Sequence, residues 1–245
     1  EVLIINNDSQ KKESLEYFKS IQSDQIRVLT FEGEFNYSAI NNFGASKAKG
    51  EILLLLNNDI EVIEPNWLGE LVSHVVRPEI GAVGARLYYA DDYVQHDGII
   101  VGIGGVAGYA HPRLGRNDIA PFGGSRLIRN YSAVTAAVLA IRAHVFNEVN
   151  GLDERNLSVA FNDVDFCLRV VEAGYRNLYT PYACLYHHES LSRGADIGSE
   201  KEARFQKEVL YMQQKWAAVI ALSLIHISEP TRPERISYDV LSFKK

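Results

Sequence analysis

Lys49-Gly-Glu-Ile-Leu-Leu-Leu-Leu-Asn-Asn-Asp-Ile-Glu61 is the segment that says most about the secondary structure and ligands of the chain. Its five consecutive apolar residues, Ile52 to Leu56, are too few to span a membrane and predict a strand buried on both faces at the centre of a sheet. In an open α/β sheet, ligands bind beyond the carboxyl ends of the strands, where this chain has Asn57 to Asp59. Small oxygen-bearing side chains at that position suit Mg²⁺ or Mn²⁺, which in turn binds phosphate. The alternative interpretation is a polar turn that only closes the strand.

Composition and charge limit the classes of protein to consider. The 245 residues, 47% hydrophobic and 23% charged, suffice for one large α/β domain or two small ones. A net charge of −6 leaves no basic excess to displace counterions, which argues against nucleic-acid binding. Cys167 and Cys184 lie in apolar segments and suit reduced thiols on the cytoplasmic side better than a disulfide framework. The chain has no apolar run near 18 residues, although peripheral attachment to a membrane stays open.

The hydrophobic pattern predicts alternating strands and helices up to about residue 88. Residues 2–5 and 26–31 predict strands on either side of a helix over 11–23. A helix over 34–49 leads into the leucine-rich strand, and a further helix and strand follow it. Since Glu1 already lies in a strand, we expect an upstream strand of the fold to be missing.

Residues 88–129 differ from the residues before them. They are rich in glycine and poor in helical periodicity, which indicates a loop-rich or antiparallel section. Gly102-Ile-Gly-Gly-Val-Ala107 matches a dinucleotide-binding fingerprint, but no helix pattern follows it, and this disfavours dinucleotide binding. Residues 223–245 resemble a translated sequencing-adapter read, so we expect this tail to lie outside the fold.

Two further polar clusters could carry chemistry. A helix pattern follows Asn162 and places Asp163 in the first helical turn, where the helix dipole favours the ionised carboxylate. Asp163 is therefore a candidate general base, although a carboxylate there can also serve only as a helix cap. His187 and His188 follow a predicted strand and could complete the coordination of a cation held by Asp59, or could lie in a surface turn.

Several short motifs occur in a fixed order along residues 1 to about 215. They are Asn41-Asn42-Phe-Gly-Ala, the leucine-rich strand with Asn57-Asn58-Asp59, Gln95-His96-Asp97-Gly98, Gly151-Leu-Asp-Glu, Asn162-Asp163-Val-Asp165 and His187-His188-Glu-Ser. Together they resemble the family 2 glycosyltransferases, and among these the rhamnosyltransferase-like members that build bacterial surface polysaccharides.

The resemblance implies a GT-A fold: an α/β fold whose mainly parallel central sheet is flanked by helices, with a loop-rich acceptor-side section. A single domain would then cover residues 1–222, with a nucleotide-sugar half at about 1–90 and an acceptor half at about 91–222. The implied reaction moves a sugar, with inversion, from a UDP- or dTDP-sugar to a hydroxyl of a glycan or polyprenyl-linked acceptor. We therefore expect a hexosyl or rhamnosyl transferase that depends on Mn²⁺ or Mg²⁺ and acts in the cytoplasm, where it could lie at the inner face of the membrane.

The resemblance also implies roles for individual residues. Asp59 matches the carboxylate that meets the metal, Asp163 matches the catalytic base, and His187 matches the late metal-ligand histidine, with His188 as the alternative. The remaining residues expected to contact the donor are Asn6, Asn7, Asn42, Asn57 and Asn58. Asn57 replaces the first aspartate of the family's Asp-Xaa-Asp motif.

Two other functions stay open. A sugar-nucleotide nucleotidylyltransferase shares the α/β layout, but it normally has a glycine-rich loop with a basic residue after the first strand, where this chain has Asn6 to Ser9. A chain without the family's first strand could also be a non-catalytic nucleotide-binding remnant.

Overall fold

The computed structural model describes residues 1–188 and 199–228. Up to residue 88 strands and helices alternate, except between residues 52 and 62, where two strands follow each other. The strands are β1 (Val2–Asn6), β2 (Ile26–Thr30), β3 (Ile52–Leu56), β4 (Ile60–Val62), β5 (Ile80–Tyr88), β6 (Val94–His96), β7 (Ile99–Val101), β8 (Ala107–Tyr109), β9 (Arg129–Tyr131), β10 (Val138–Arg142) and β11 (Arg176–His187). The helices are α1 (Lys12–Ile21), α2 (Tyr37–Lys47), α3 (Trp67–Val75), α4 (Ala143–Glu148), α5 (Asn162–Glu172), α6 (Ser199–Lys215) and α7 (Ala217–Ser228). The last two residues of the predicted histidine motif, Glu189 and Ser190, and residues 229–245 of the predicted tail lie outside the described residues.

A seven-stranded mixed sheet carries the site. Its main order is β3-β10-β5-β11-β4, with β6 paired to β5 and β9 paired to β11. The α/β class is confirmed, but the expectation of a mainly parallel sheet is wrong, because β5 and β11 form the one parallel pair among the described pairs of this sheet. β5 and β11 are parallel, whereas β10 runs antiparallel to both of its neighbours, β3 and β5, and so separates two strands that point the same way.

The leucine-rich strand β3 lies at an edge of this sheet and not at its centre, because it pairs only with β10 among the described strands. Leu53 and Leu55 are buried in the core that the sheet shares with α4, α5 and α6. Ile52 and Leu54 pack against the second core, which α3 covers. The apolar run therefore reflects packing on both faces, as predicted, even at an edge position.

Residues 88–129 form the antiparallel section that the glycine content indicates. β7 and β8 make a hairpin. Its turn contains Gly102 at φ +95°, Gly104 at φ +63° and Gly105 at φ +84°, which are left-handed conformations that favour glycine. A hairpin turn therefore replaces the strand-turn-helix unit that a dinucleotide fingerprint requires.

The two ends of the described chain add local units. β1 and β2 form a separate parallel two-stranded sheet joined through α1, as the opening pattern predicts. At the other end Trp216 separates α6 from α7, and α7 continues into the first residues of the predicted tail. In the part of the chain that the structure describes, no helix is long and apolar enough to cross a membrane.

Candidate functional site

Strand pairing brings Asp59 and His187 together although they are far apart in sequence. β4 follows directly after the turn at Asp59 and pairs antiparallel with β11, so that His187 lies opposite Ile60. The backbone N–H of His188 donates to the Asp59 carbonyl at 2.9 Å, which fixes this register. His187 Nε2 lies 3.2 Å from Asp59 Oδ1, and the two side chains are only 12% and 13% exposed.

Two amides hold the His187 ring. The Oε1 atom of buried Gln95 lies 2.7 Å from His187 Nδ1. A carbonyl oxygen can only accept, so Nδ1 donates to it, and in the neutral tautomer Nε2 then carries no proton. The Nδ2 group of Asn57 lies 3.2 Å from Nε2 and donates to it in that tautomer. Nε2 therefore faces Asp59 as an acceptor.

The Asp59 carboxylate has an unsatisfied oxygen at this point. Oδ1 is buried and has no hydrogen-bond partner among the residues that the structure describes. With Nδ1 of His187 protonated, Oδ1 and Nε2 are two acceptors 3.2 Å apart, an arrangement that a cation or a proton between them would stabilise.

Asp59 and His187 could hold a divalent cation with few other protein ligands. Within residues 1–188 and 199–228, no group of three or more His, Cys, Asp or Glu side chains is arranged to hold a metal. A cation at Asp59 and His187 would therefore take its remaining ligands from amide, water or substrate oxygens.

Asp163 lies at the start of α5, directly after a sharp turn in which Phe161 is left-handed at φ +58°. Its Oδ2 accepts from the backbone N–H of Ala136 at 3.2 Å, and its Oδ1 accepts from that of Val164 at 2.8 Å. Burial raises the pKa of Asp163 above the ordinary value, while hydrogen bonds from Ala136 and the Thr135 hydroxyl lower it in part. The helix start alone predicts an easily ionised carboxylate, but burial outweighs it.

Tyr37, the first residue of α2, connects the two carboxylate sites. Its hydroxyl lies 3.1 Å from Asn57 Oδ1 and 2.9 Å from the Ala136 carbonyl, so it contacts a neighbour of Asp59 and a neighbour of Asp163. Burial raises the pKa of Tyr37, and the Asp163 charge adds to that shift. Sequence reasoning missed this residue, because neither its type nor its spacing distinguishes it from other tyrosines at helix starts.

Buried His96 supports the segment that carries Ala136. Its Nδ1 donates to the Ala85 carbonyl at 2.9 Å, and its Nε2 accepts from the Thr135 backbone N–H at 3.2 Å. Burial lowers the pKa of His96 to about 4, so the ring is neutral at pH 7 and can make both bonds. His96 therefore fixes the backbone that donates to Asp163.

The loop before α5 is held by Glu208 of α6, a carboxylate that is only 2% exposed. Its Oε1 accepts from the Ser158 hydroxyl and the Val159 N–H, both at 2.9 Å, and its Oε2 accepts from the Ala160 N–H at 3.1 Å. Helix α6 thus fixes the loop that precedes Asp163. Sequence spacing places Glu208 on a helix but does not show what it faces.

Asp165, close to the candidate base, has a structural environment. It is completely buried and accepts from Arg169 Nε at 2.8 Å, Lys215 Nζ at 2.6 Å and Trp216 Nε1 at 2.9 Å. These contacts join α5 to the end of α6.

The second histidine of the pair points elsewhere. His188 Nε2 lies 2.9 Å from Glu61 Oε2, and its ring stacks on Tyr186 with the ring centroids 6.1 Å apart. Of the two candidates, His187 is therefore the one that the structure brings to Asp59.

Asn6 and Asn7 close the turn after β1. Asn6 Oδ1 accepts from the Ser9 N–H at 3.0 Å, and Asn7 Nδ2 donates to the carbonyl of Phe31 at 3.3 Å and to that of Gly33 at 3.0 Å. The contacts described for them do not include Asp59, His187 or Asp163, so their role in donor binding stays a prediction.

Asn42 and Asn58 have different surroundings. Asn42 pairs with the backbone N–H and carbonyl of Leu152, both at 2.9 Å, and donates to Glu154 Oε2 at 2.9 Å. It therefore holds the Gly151-Leu-Asp-Glu loop. Asn58 is exposed in the turn between β3 and β4. Their predicted contacts with a donor stay predictions.

The sequence matches a known family and known relatives. Residues 1–101 match the family model "Glycosyl transferase family 2". The chain is 47% identical over 218 residues to "Uncharacterized protein y4gI" of Sinorhizobium fredii, covering 88% of this chain and 24% of that protein. It is 44% identical over 203 residues to "O-antigen biosynthesis protein RfbC" of Myxococcus xanthus, covering 82% of this chain and 16% of that protein. The chain thus spans a quarter or less of the length of these relatives.

Solved structures share the fold at low sequence identity. GalNAc-T7 with UDP, GalNAc and Mn²⁺ aligns with a TM-score of 0.63 and 15% identity over 87% of this chain and 41% of that one. The mannosyltransferase PcManGT from Pyrobaculum calidifontis, in complex with GDP-Man and Mn²⁺, aligns with a TM-score of 0.55 and 10% identity over 92% of this chain and 69% of that one. Together the motif order, the family match and the shared fold identify the chain as a member of glycosyltransferase family 2 with the GT-A fold.

Proposed function

We propose that the chain catalyses transfer of a sugar from a nucleotide-diphosphate donor to a hydroxyl of a glycan or polyprenyl-linked acceptor, with inversion, in the synthesis of a bacterial surface polysaccharide. The observation that carries the proposal is the contact of Asp59 Oδ1 with His187 Nε2, linked through Asn57 and Tyr37 to Asp163. The O-antigen biosynthesis relative supports the polysaccharide assignment, and the UDP and GDP-Man complexes of the structural neighbours support a nucleotide donor.

The residues present fit a divalent cation such as Mn²⁺ or Mg²⁺. The buried Asp59 Oδ1 lacks a hydrogen-bond partner among the described residues, and His187 Nε2 faces it at 3.2 Å. We assign these two atoms as the protein ligands. The Mn²⁺ in the complexes of the two structural neighbours supports the choice of metal. When bound there, the cation would neutralise charge on the departing nucleotide diphosphate.

We assign Asp163 as the general base. It would accept the proton of the acceptor hydroxyl as that oxygen attacks the anomeric carbon and the bond to the diphosphate breaks, a direct displacement that inverts the configuration. The backbone N–H of Ala136 orients the carboxylate at 3.2 Å, and the raised pKa makes it a stronger proton acceptor than an ordinary aspartate.

Tyr37 connects the proposed donor site at Asp59 with the proposed base, Asp163. Tyr37 spans from Asn57 on the donor side to Ala136 on the base side, which keeps Asp163 at a fixed position relative to Asp59.

Both cysteines are free, which suits the reducing cytoplasm. We therefore place the reaction in the cytoplasm, with a polyprenyl-linked acceptor at the inner face of the membrane.

The test compares Asp163→Asn with a matched surface change, Asp24→Asn, using UDP- and dTDP-sugars with Mn²⁺. We expect Asp163→Asn to lower sugar transfer by about 10²- to 10⁴-fold while metal-dependent donor binding, measured by calorimetry, stays as in the wild type. In the wild type, transfer should fall on acidification through a pKa higher than that of an ordinary aspartate.

Stability gives an independent readout for Asp163. A raised folded-state pKa means that the ionised carboxylate reduces stability at neutral pH, and that this cost disappears below the unfolded-state pKa. The unfolding temperature of the wild type, relative to that of Asp163→Asn, should therefore rise as the pH falls through the pKa of Asp163. Undiminished turnover in Asp163→Asn would contradict the base assignment, and failure of the wild type to bind any nucleotide would instead favour a non-catalytic remnant.

A further inference from the structure

A second polar cavity, of about 390 Å³, lies on another part of the sheet from the Asp59 and His187 site. It is lined by residues of β5 and β11, by the segment between β8 and β9, and by Glu64, which lies between β4 and α3. Those used below are Glu64, Arg86, Tyr88, Arg116, Arg126 and Tyr182. The cavity shares no lining residue with the proposed donor and base site.

Arg86 on β5 is the reason to regard this cavity as a binding site. Its side chain is only 4% exposed, and its Nε and Nη2 atoms have no hydrogen-bond partner within residues 1–188 and 199–228. Its guanidinium lies over the Tyr88 ring, 5.0 Å from the centroid, and no carboxylate forms an ion pair with it among the described residues. Arginine does not deprotonate in proteins, so the cavity wall carries a buried, unpaired positive charge, which is unfavourable unless an anion accompanies it.

Two further guanidinium groups converge on the same cavity. Arg126 donates to a neutral acceptor, the Asn117 carbonyl, at 2.8 Å, whereas Arg116 pairs with Asp92 at 3.0 Å. Burial raises the pKa of Tyr88, and the charges of all three arginines oppose that shift, which places them around one phenol. Among the described residues that line the cavity, Glu64 is the one acidic residue, so positive charge is in excess there.

We propose that this cavity binds a phosphate-bearing ligand, with buried Arg86 as the anchor and Arg126 at the rim. The planar fork of a guanidinium matches the oxygens of a phosphate. In the part of the chain that the structure describes, Arg86 and Arg126 are the two lining arginines without a carboxylate partner. Together they match the charge of about −2 on a phosphate monoester better than that of a carboxylate. The cavity volume lies in the range for small-molecule sites, so more than a bare ion fits.

The cavity and the proposed donor site both border strand β11. Tyr186 precedes His187 on β11, and its hydroxyl lies 3.0 Å from Arg116 Nη1 and 2.6 Å from Asp92 Oδ1. Exposed Tyr182 adds an aromatic face at the rim for the remainder of a ligand. Two sources share the required chemistry: a soluble phosphorylated compound and the diphosphate of a lipid-linked saccharide.

The test uses the full chain in EDTA, so that metal-dependent donor binding does not contribute, with pyrophosphate and geranyl diphosphate as probes in calorimetry. We expect both Arg86→Gln and Arg126→Gln to weaken binding by about tenfold or more, because each removes a charge-assisted hydrogen bond. Arg113→Gln, an exposed arginine outside the cavity, and Asp59→Ala should bind as the wild type does. Without ligand, Arg86→Gln should unfold at a temperature no lower than the wild type, because it removes a buried unpaired charge.

Geranyl diphosphate binding more tightly than pyrophosphate would support the site and assign it to a lipid-linked ligand, and equal affinities would support the site and assign it to a soluble one. Absence of binding by either probe would overturn the proposal. So would affinity that is unchanged in both Arg86→Gln and Arg126→Gln, or affinity that is lost in Asp59→Ala.

Discussion

Two polar regions border neighbouring residues of β11 and have opposite electrostatic defects. Around His187, two acceptor atoms face each other, and the described residues supply no hydrogen bond to Asp59 Oδ1. Around Cys184, the Nε and Nη2 donors of Arg86 have no acceptor among the described residues. A folded chain normally pairs its buried polar groups, so each defect indicates a ligand of the opposite character. The first region suits a cation and the second an anion.

The largest expected effect that separates the two regions comes from Asp59→Ala. We expect this change to abolish metal-dependent donor binding, because it removes the proposed carboxylate ligand. Glu61→Ala is the matched control, since Glu61 contacts His188 at 2.9 Å as Asp59 contacts His187. Calorimetry with Mn²⁺ and a nucleoside diphosphate measures both variants. Equal loss in the two would show that local charge, and not a specific ligand, governs binding.

A smaller effect is expected from Gln95→Leu, which removes the acceptor for His187 Nδ1. Partners of this kind orient a metal-bound histidine, and their loss typically lowers metal affinity by about 10- to 100-fold. Mn²⁺ titration measures the affinity, and ¹⁵N NMR of His187 reports whether the proton leaves Nδ1. Gln213→Leu, which removes a bond to the Gly105 carbonyl, is the control. An unchanged tautomer and an unchanged Mn²⁺ affinity would show that Gln95 does not orient His187 for metal binding.

The smallest effect is expected from Tyr37→Phe, which removes one hydroxyl between the donor and base sides. The loss of one hydrogen bond should reduce stability by about 1 kcal/mol and transfer by about tenfold or less. Tyr17→Phe is the control, because Tyr17 is 60% exposed. Steady-state kinetics distinguish a fall in kcat, expected if Asp163 is displaced, from a rise in KM. A transfer rate as high as that of the control would mean that Tyr37 does not position Asp163.

Part of this arrangement could be predicted from sequence. The order of the motifs identifies Asp59, Asp163 and His187 as candidates, and hydrophobic periodicity locates the strand before Asp59 and the helix after Asp163. Periodicity carries no information on strand direction, so the antiparallel β10 between β3 and β5 could not be foreseen.

The missed residues act through contacts between distant segments. Gln95 and Tyr37 reach the site only through the packing of β6 and α2, and local patterns do not encode such pairs. The choice of His187 over His188 depends on the register of β4 with β11. Arg86 looks like any arginine in sequence, and its burial follows from the shifted pairing of β5 with β11.

A crystal of this chain grown with Mn²⁺ and a nucleoside diphosphate tests directly whether Asp59 and His187 bind the metal, through its anomalous difference map. We expect one manganese peak within coordination distance of both Asp59 Oδ1 and His187 Nε2, with the diphosphate bound to the same ion. A manganese bound by other residues, with Asp59 and His187 still in direct contact, would contradict it.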